Sequence, residues 1–337
     1  MKIFKNCIIL LLFVMGFFSC KTQIEKKIQL TGTAQGTYYS ITYFDQQSRD
    51  FKAEIDSILS AYDQSVSVYE KNSIISRINR NDEAVVLDDW FIGNFKLSQT
   101  ISEETNGSFD ITIAPIANIW GFGTFEKPDS INPELIDSLK QYVDYRKIKL
   151  IEGKLVKENP AIQLNFNAVA QGYAVDVLGH YFESKGIYNY LIDIGGEIYA
   201  KGKKTNGDPW KIGIELPEEG SENRSYSKIV DLENEAVATS GNYRKFYVLN
   251  GKKYAHSLNP KTGYPVLHSL LSVTVIASTA GAADAYATAF MVMGVKKTLA
   301  FVETRKDIKV YLMYHEKGEI KSAMSASFIP YLEPDSK

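Results

Sequence analysis

The chain has 337 residues, room for one large domain or two of ordinary size, and its 45% hydrophobic and 23% charged content allows a sizeable core. A formal net charge of −2 gives no reason to expect nucleic acid, whose partners carry a basic stripe. The 21 Tyr and 17 Phe suit sheet packing or stacking on a planar ligand.

At the N-terminus, Lys2 and Lys5 precede an apolar run from Ile8 to Phe18 that ends at Ser19-Cys20. A charged start, an apolar run too short to span comfortably and a small residue before cysteine resemble a bacterial lipoprotein signal. On that reading residues 1–19 are removed, Cys20 carries lipid, residues 20–28 are a polar tether, and 29–337 form the working domain. A plain cleaved signal or an N-terminal anchor helix fits the same pattern, and each exports the rest of the chain. Cys7 falls inside the signal, so the mature protein would keep Cys20 alone, without an internal disulfide.

Residues 29–43 read as two strands around Gly36, rich in β-branched and aromatic side chains. Ile55, Ile58, Leu59 and Tyr62 have helical spacing over 53–62. A second helix is expected over 89–105, capped by Asp88 or Asp89 and stopped by Asn106-Gly107, and a third over 133–142. The segment 168–184 predicts a helix with Val169, Tyr173, Val177 and Tyr181 on its packed stripe. Strands are expected at 190–194, 211–215, 228–231, 243–249 and 253–256, with an Asn250-Gly251 turn between the last two and a polar loop over 217–227. A strand at 272–276, an alanine-rich helix at 279–293 and a hairpin of 308–314 with 320–326 complete the chain. Helices and strands interleave without a βαβ rhythm, and no Pro/Gly/Ser linker divides them. The expected fold is α+β, a single compact domain of mixed, largely antiparallel sheet with packed helices.

Chemistry concentrates in Gly-punctuated segments. His256-Ser-Leu-Asn-Pro-Lys-Thr-Gly-Tyr-Pro265 places one of four histidines beside a turn-rich loop that bears hydroxyls. Asp284 and Thr288, four residues apart on a helix, put a carboxylate and a hydroxyl on one face, a pair of hard oxygen donors suited to Mg²⁺. Together they point to a base and a metal around an anionic, phosphate-bearing substrate. Backbone amides at the start of the 168–184 helix are a further candidate phosphate contact. His180, His268 and His315 read as structural or exposed.

Six ordered motifs carry a resemblance that runs from about Thr31 to the final strands. They are Trp120-Gly-Phe-Gly123, Gly172-Tyr-Ala-Val-Asp176, Asp193-Ile-Gly-Gly196, Ala238-Thr-Ser-Gly241, the His256 to Pro265 loop and Asp284-x-x-x-Thr288. This set resembles the ApbE family of FAD:protein FMN transferases. The resemblance implies an exported, Mg²⁺-dependent enzyme that splits FAD, attaches FMN through a phosphoester to a threonine of a partner protein and releases AMP. It implies Ala168, through its carbonyl, as a third metal ligand beside Asp284 and Thr288, and FAD contacts at Gln35, Tyr69, Ser108, Phe109, Asp110, Asn165, Gln171 and Leu258. His256 is the candidate base for the threonine hydroxyl. Three positions depart from the family pattern: Gln35 for methionine, Asn165 for aspartate and Gln171 for lysine.

The acceptor is then expected to be a subunit of a membrane-bound redox complex. The enzyme would be held by lipid at the bacterial cell envelope, facing the periplasm. An FAD pyrophosphatase, with water in place of the threonine, and a non-catalytic FAD-binding lipoprotein are the alternatives. Intact His256, Asp284 and Thr288 count against the last.

Overall fold

In the computed structural model, residues 25–124, 128, 130–217, 225–242, 246–249 and 252–333 are described. The signal and Cys20 lie outside them, as do much of the loop expected over 217–227 and the Asn250-Gly251 turn.

The chain opens with β1 (Lys26–Ala34) and β2 (Thr37–Asp45), joined by a two-residue turn in which Gln35 and Gly36 both have positive φ, 52° and 73°. Paired positive φ values make the turn whose twist matches an antiparallel hairpin. Next come α1 (Lys52–Val66), a short α2 (Ile74–Asn79) and α3 (Asp89–Glu104). Asp88 caps α3, its carboxylate accepting from the amide of Phe91. The helix stops where Asn106 and Gly107 turn to positive φ, as their sequence predicts. A 3-10 turn (Ile111–Ile113), α4 (Ala114–Ile119) and α5 (Pro133–Leu139) lead to the small hairpin β3 (Ile148–Ile151) and β4 (Lys154–Lys157). The second half carries α6 (Ala170–Ser184), β5 (Tyr190–Ile194), β6 (Glu197–Lys201), β7 (Trp210–Glu215), β8 (Tyr226–Leu232) and β9 (Glu235–Gly241). After the short hairpins β10 (Phe246–Leu249) with β11 (Lys252–Ala255) and β12 (Leu258–Asn259) with β13 (Tyr264–Pro265) come β14 (Leu270–Ala277), α7 (Ala280–Val302), β15 (Lys309–Glu316) and β16 (Glu319–Met324).

Eight strands form one sheet in the order β1-β2-β5-β6-β9-β14-β15-β16, and every pairing is antiparallel. Alternation along the strands divides the core in two. Tyr39, Ile41 and Tyr43 of β2, Val273 and Val275 of β14 and Val310 and Leu312 of β15 face the helices. Phe44, Ile276, Tyr311 and Met313 face the β7–β8 hairpin and a 3-10 segment, Ala326–Tyr331. The α+β expectation holds.

Three local readings are corrected. The packed face of α6 is Val175, Leu178 and Phe182, while Tyr173, Val177 and Tyr181 are only half-buried at its border. Strands β6 and β9 are buried sheet members with few β-branched residues, which is why composition did not mark them. The last hairpin ends at Met324, and the chain then turns into the 3-10 segment.

Helix α7 reaches past its expected end, but Gly294, at φ 76° and ψ 171°, breaks it immediately after Met293. His268 stands against that break, with Nε2 2.7 Å from the carbonyl oxygen of Met291. Thr298 donates to the carbonyl of Phe290. Both contacts occupy carbonyls in the last turn before the break, a structural role for His268. His180 and His315 are exposed.

Candidate functional site

The alanine-rich start of α7 lies in the core against β9, β14 and α6. Its small side chains permit an approach so close that glycine is required on the facing helix. A Cβ on Gly172 would sit 2.3 Å from the carbonyl oxygen of Ala280 and 2.8 Å from Cβ of Asp284.

Asp284 is 7% exposed, and its Oδ2 accepts from the amide of Gly172 at 3.2 Å. Asp284 is therefore an inner group turned towards the start of α6. One turn on, half-buried Thr288 has Oγ1 3.4 Å from Oγ of Ser240, which belongs to Ala238-Thr-Ser-Gly241 on β9. Ala168 lies in the turn that leads into α6, four residues before Gly172. The donors are a carboxylate, a hydroxyl and a carbonyl, all hard oxygens, a set that suits Mg²⁺ or Mn²⁺ rather than zinc. Among the described residues no cluster of three His, Cys, Asp or Glu offers a competing centre. At the start of α6, the amides of Val169 and Ala170 donate to the carbonyl of Phe166, and that of Gly172 donates to Asp284.

Asp176, one turn after Gly172, accepts from the amides of Ala280 at 2.8 Å and Gly281 at 2.9 Å. The residue keeps some solvent-facing surface, yet burial of its carboxyl group pushes its pKa up to about 6, against the opposing pull of those two amides. Nothing next to Asp176 in the Gly172-Tyr-Ala-Val-Asp176 motif shows this role. The i, i+4 spacing from Gly172 was the available signal.

The His256 loop is built from its own turns. Oδ1 of Asn259 accepts from the amide of Lys261, the carbonyl of Asn259 accepts from Gly263, and Gly263 takes φ 77°. Indole Nε1 of Trp120, the first residue of Trp-Gly-Phe-Gly123, donates to the carbonyl of Gly263 at 2.8 Å. The Trp120 ring packs on Tyr254 and Tyr264. Half-buried His256 meets the ring of Phe122 edge to face at 6.4 Å. Ser257 donates to Oδ1 of Asn242, the residue that follows β9. A short path thus joins His256 to Thr288, through Ser257, Asn242 and Ser240.

The expected flavin contacts fall into two groups. Tyr69 is 63% exposed, so core packing is not its role, and its hydroxyl accepts from Nδ2 of Asn167. The amide of Asn167 donates to Oδ1 of Asn165, whose own amide donates to the carbonyl of Ile111. Gln35 hydrogen-bonds to Asp63, whose pKa burial raises. A Cβ at Gly195 would meet Cγ2 of Thr37 at 2.8 Å and Nε2 of Gln171 at 3.4 Å, so both side chains border that glycine. Phe109 and Asp110 belong to the interior: Asp110 accepts from the amide and hydroxyl of Thr112 and the amide of Tyr145, and burial pushes its carboxyl up to about 6. Ser108 is half-buried, and Leu258 packs with the Trp120 cluster. Gly196 donates to Asp193 in the β5–β6 turn, which holds that motif in shape.

The model of the ApbE family matches residues 35–312. The FAD:protein FMN transferase of Haemophilus influenzae is 33% identical over 97% of this chain and 98% of its own length, and that of Escherichia coli K12 is 34% identical over 93% and 91%. Among solved structures, the flavin transferase ApbE from Vibrio cholerae superposes with a TM-score of 0.83 at 32% identity, covering 91% of this chain and all of that one. The apo flavinyl transferase ApbE of Pseudomonas stutzeri gives 0.81 at 30%, over 92% and 98%.

Proposed function

The chain belongs to the ApbE family, and from that membership and the site we propose that it is an FAD:protein FMN transferase that delivers FMN to a threonine hydroxyl of a partner protein. The observation that carries the reading is the convergence of Asp284 and Thr288 with Gly172 and Ser240, from three separate motifs.

The hydroxyl oxygen of the acceptor threonine attacks the phosphorus on the FMN side of the FAD pyrophosphate. The bond from that phosphorus to the bridging oxygen breaks, AMP leaves, and a phosphoester joins FMN to the threonine. His256 takes the hydroxyl proton, since an unassisted hydroxyl is a poor nucleophile near neutral pH. Asp284, Thr288 and the carbonyl of Ala168 would hold Mg²⁺, which when bound neutralises charge on the pyrophosphate. Tyr69 offers a free aromatic face for the isoalloxazine, with its hydroxyl tied to Asn167. Asn165 and Gln171 stand where the family pattern has a carboxylate and an ammonium, so this chain lacks both charges; mutual compensation and an altered flavin affinity are the two readings of that change.

The reading extends to place. Lipid on Cys20 would hold the enzyme at the cell envelope facing the periplasm, near a membrane redox complex whose subunit is the acceptor. Mass spectrometry of the mature N-terminus decides that part.

The reaction is tested by incubating the protein with FAD, Mg²⁺ and a threonine-bearing acceptor peptide, with and without EDTA. FMN added to the peptide with matching AMP, and none in EDTA, is expected. AMP with an unmodified peptide would mark a pyrophosphatase, and neither product a carrier.

A further inference from the structure

We propose that Asp176 is a positioning residue for the cation site, locking α7 in register on α6 so that Asp284 and Thr288 meet Ala168. The inference rests on the reading of those three residues as cation ligands.

A helix start leaves four amides without partners inside the helix. At α7, Thr279 supplies the ordinary cap: its hydroxyl accepts from Ala282 and its carbonyl from Ala283. Two of the four amides left over at this helix start, Ala280 and Gly281, donate to the carboxylate of Asp176, which comes from a different helix. A negative group also suits the positive end of the α7 dipole. One turn along α7, Asp284 returns the contact by accepting from Gly172 of α6. Each helix therefore presents a carboxylate to the other's N-terminal amides, and each carboxylate lies one turn beyond the glycine that its partner helix approaches.

Two such contacts fix both rotation and sliding, whereas either alone would leave a pivot. Gly172 and Gly281 allow the approach: a Cβ at Gly281 would meet Cδ2 of Leu97 at 2.9 Å and Oδ2 of Asp176 at 3.2 Å. Mg²⁺ demands near-ideal octahedral geometry, so a small slip of α7 would separate its donors from Ala168 without unfolding the domain. A cap that served stability alone would lower the melting temperature and leave cation affinity unchanged.

The test uses the whole folded protein and Mn²⁺ as the probe, with bound metal read by electron paramagnetic resonance and folding by circular dichroism. The variants are Asp176→Ala, Asp176→Asn, Asp284→Ala and, as a remote control, Asp45→Asn, which breaks the Asp45–Arg49 pair. Asp176→Ala is expected to weaken Mn²⁺ binding about 10–100-fold, the usual range for loss of an outer-shell support. Asp176→Asn keeps one acceptor oxygen and should fall between, and it carries the test if Asp176→Ala fails to fold. Asp45→Asn should lose stability with Mn²⁺ affinity intact. Wild-type Mn²⁺ affinity in folded Asp176→Ala or Asp176→Asn, with binding lost in Asp284→Ala, overturns the positioning role alone. Wild-type affinity in Asp284→Ala overturns the cation reading beneath it.

Discussion

Trp120 donates its indole N–H to the carbonyl of Gly263 at 2.8 Å, joining two motifs separated by 143 positions. The bond is buried, and it ties the Trp-Gly-Phe-Gly corner to the far end of the loop that begins at His256. Trp120→Phe keeps a ring but leaves that carbonyl unpaired, at a cost of about 1–3 kcal/mol. Thermal melts should show that loss. Initial rates should fall on the order of 10–100-fold, because a loosened loop misplaces His256. An unchanged rate would mean that the bond does not hold the loop for catalysis.

Asp284→Ala is expected to lower transfer on the order of 10²–10³-fold, the scale of losing one preorganised charge-stabilising group. Asp284 is buried and accepts from Gly172, so the same change should also lower the melting temperature. Asp284→Asn keeps the shape and an acceptor for that amide. It should recover most of the stability and little of the activity.

Gly172→Ala tests the helix approach by volume instead of charge. The added methyl would stand 2.3 Å from a backbone oxygen, which cannot swing aside as a side chain can. Overpacking of this kind costs about 1–3 kcal/mol. Melting and Mn²⁺ binding should decline together, and loss of one without the other would separate packing from the cation site.

The segments that could be read from sequence are those whose signal is local. The Gln35-Gly36 turn, the stop at Asn106-Gly107, the strand at Tyr190–Ile194 and the break after Met293 all follow from turn chemistry or periodicity. The pairing of Asp284 with Thr288 is likewise set by helical spacing. What could not be read depends on long-range partners. The burial of Asp284 is one such case, since nothing near it in sequence shows that Gly172 will meet it. Asp176 looked like one motif residue among several because its amide partners lie 104 and 105 positions away. Val177 and Tyr181 have helical spacing, yet neighbouring elements cover the other face of α6. Phe109 and Asp110 are inner residues, and the Asp110 carboxylate is covered by Thr112 and by Tyr145, 35 positions away.

Acid–base behaviour gives a prediction with opposite signs at two places. Burial raises Asp110 and Asp176 to about 6 from 3.8, so their contribution to stability is full below the unfolded value and is lost as pH rises through about 6. Arg49 holds Asp45 down at about 2, so its contribution is present above 3.8 and is lost as pH falls towards 2. Melting temperatures taken across pH should decline from about pH 4 to pH 6 for the raised pair, and Asp110→Asn should flatten part of that slope. Asp45→Asn should cost stability at pH 7 and converge on wild type near pH 2–3, about the range in which Asp45 takes up its proton. A cost that does not change with pH would remove the charge from the explanation.

The central claim is that FMN passes from FAD to a threonine at the site formed by Asp284, Thr288 and His256. Its most direct test is the intact mass of an acceptor protein after incubation with FAD and Mg²⁺, run in parallel with wild type, Asp284→Ala and His256→Asn, and followed by fragmentation to locate the adduct. Wild type should add one FMN to a threonine and release one AMP for each adduct. His256→Asn should still bind FAD but transfer on the order of 10²–10⁴-fold more slowly, and Asp284→Ala should add FMN to the acceptor on the order of 10²–10³-fold more slowly than wild type. Free FMN and AMP beside an unmodified acceptor, or full adduct formation by Asp284→Ala, would contradict the account.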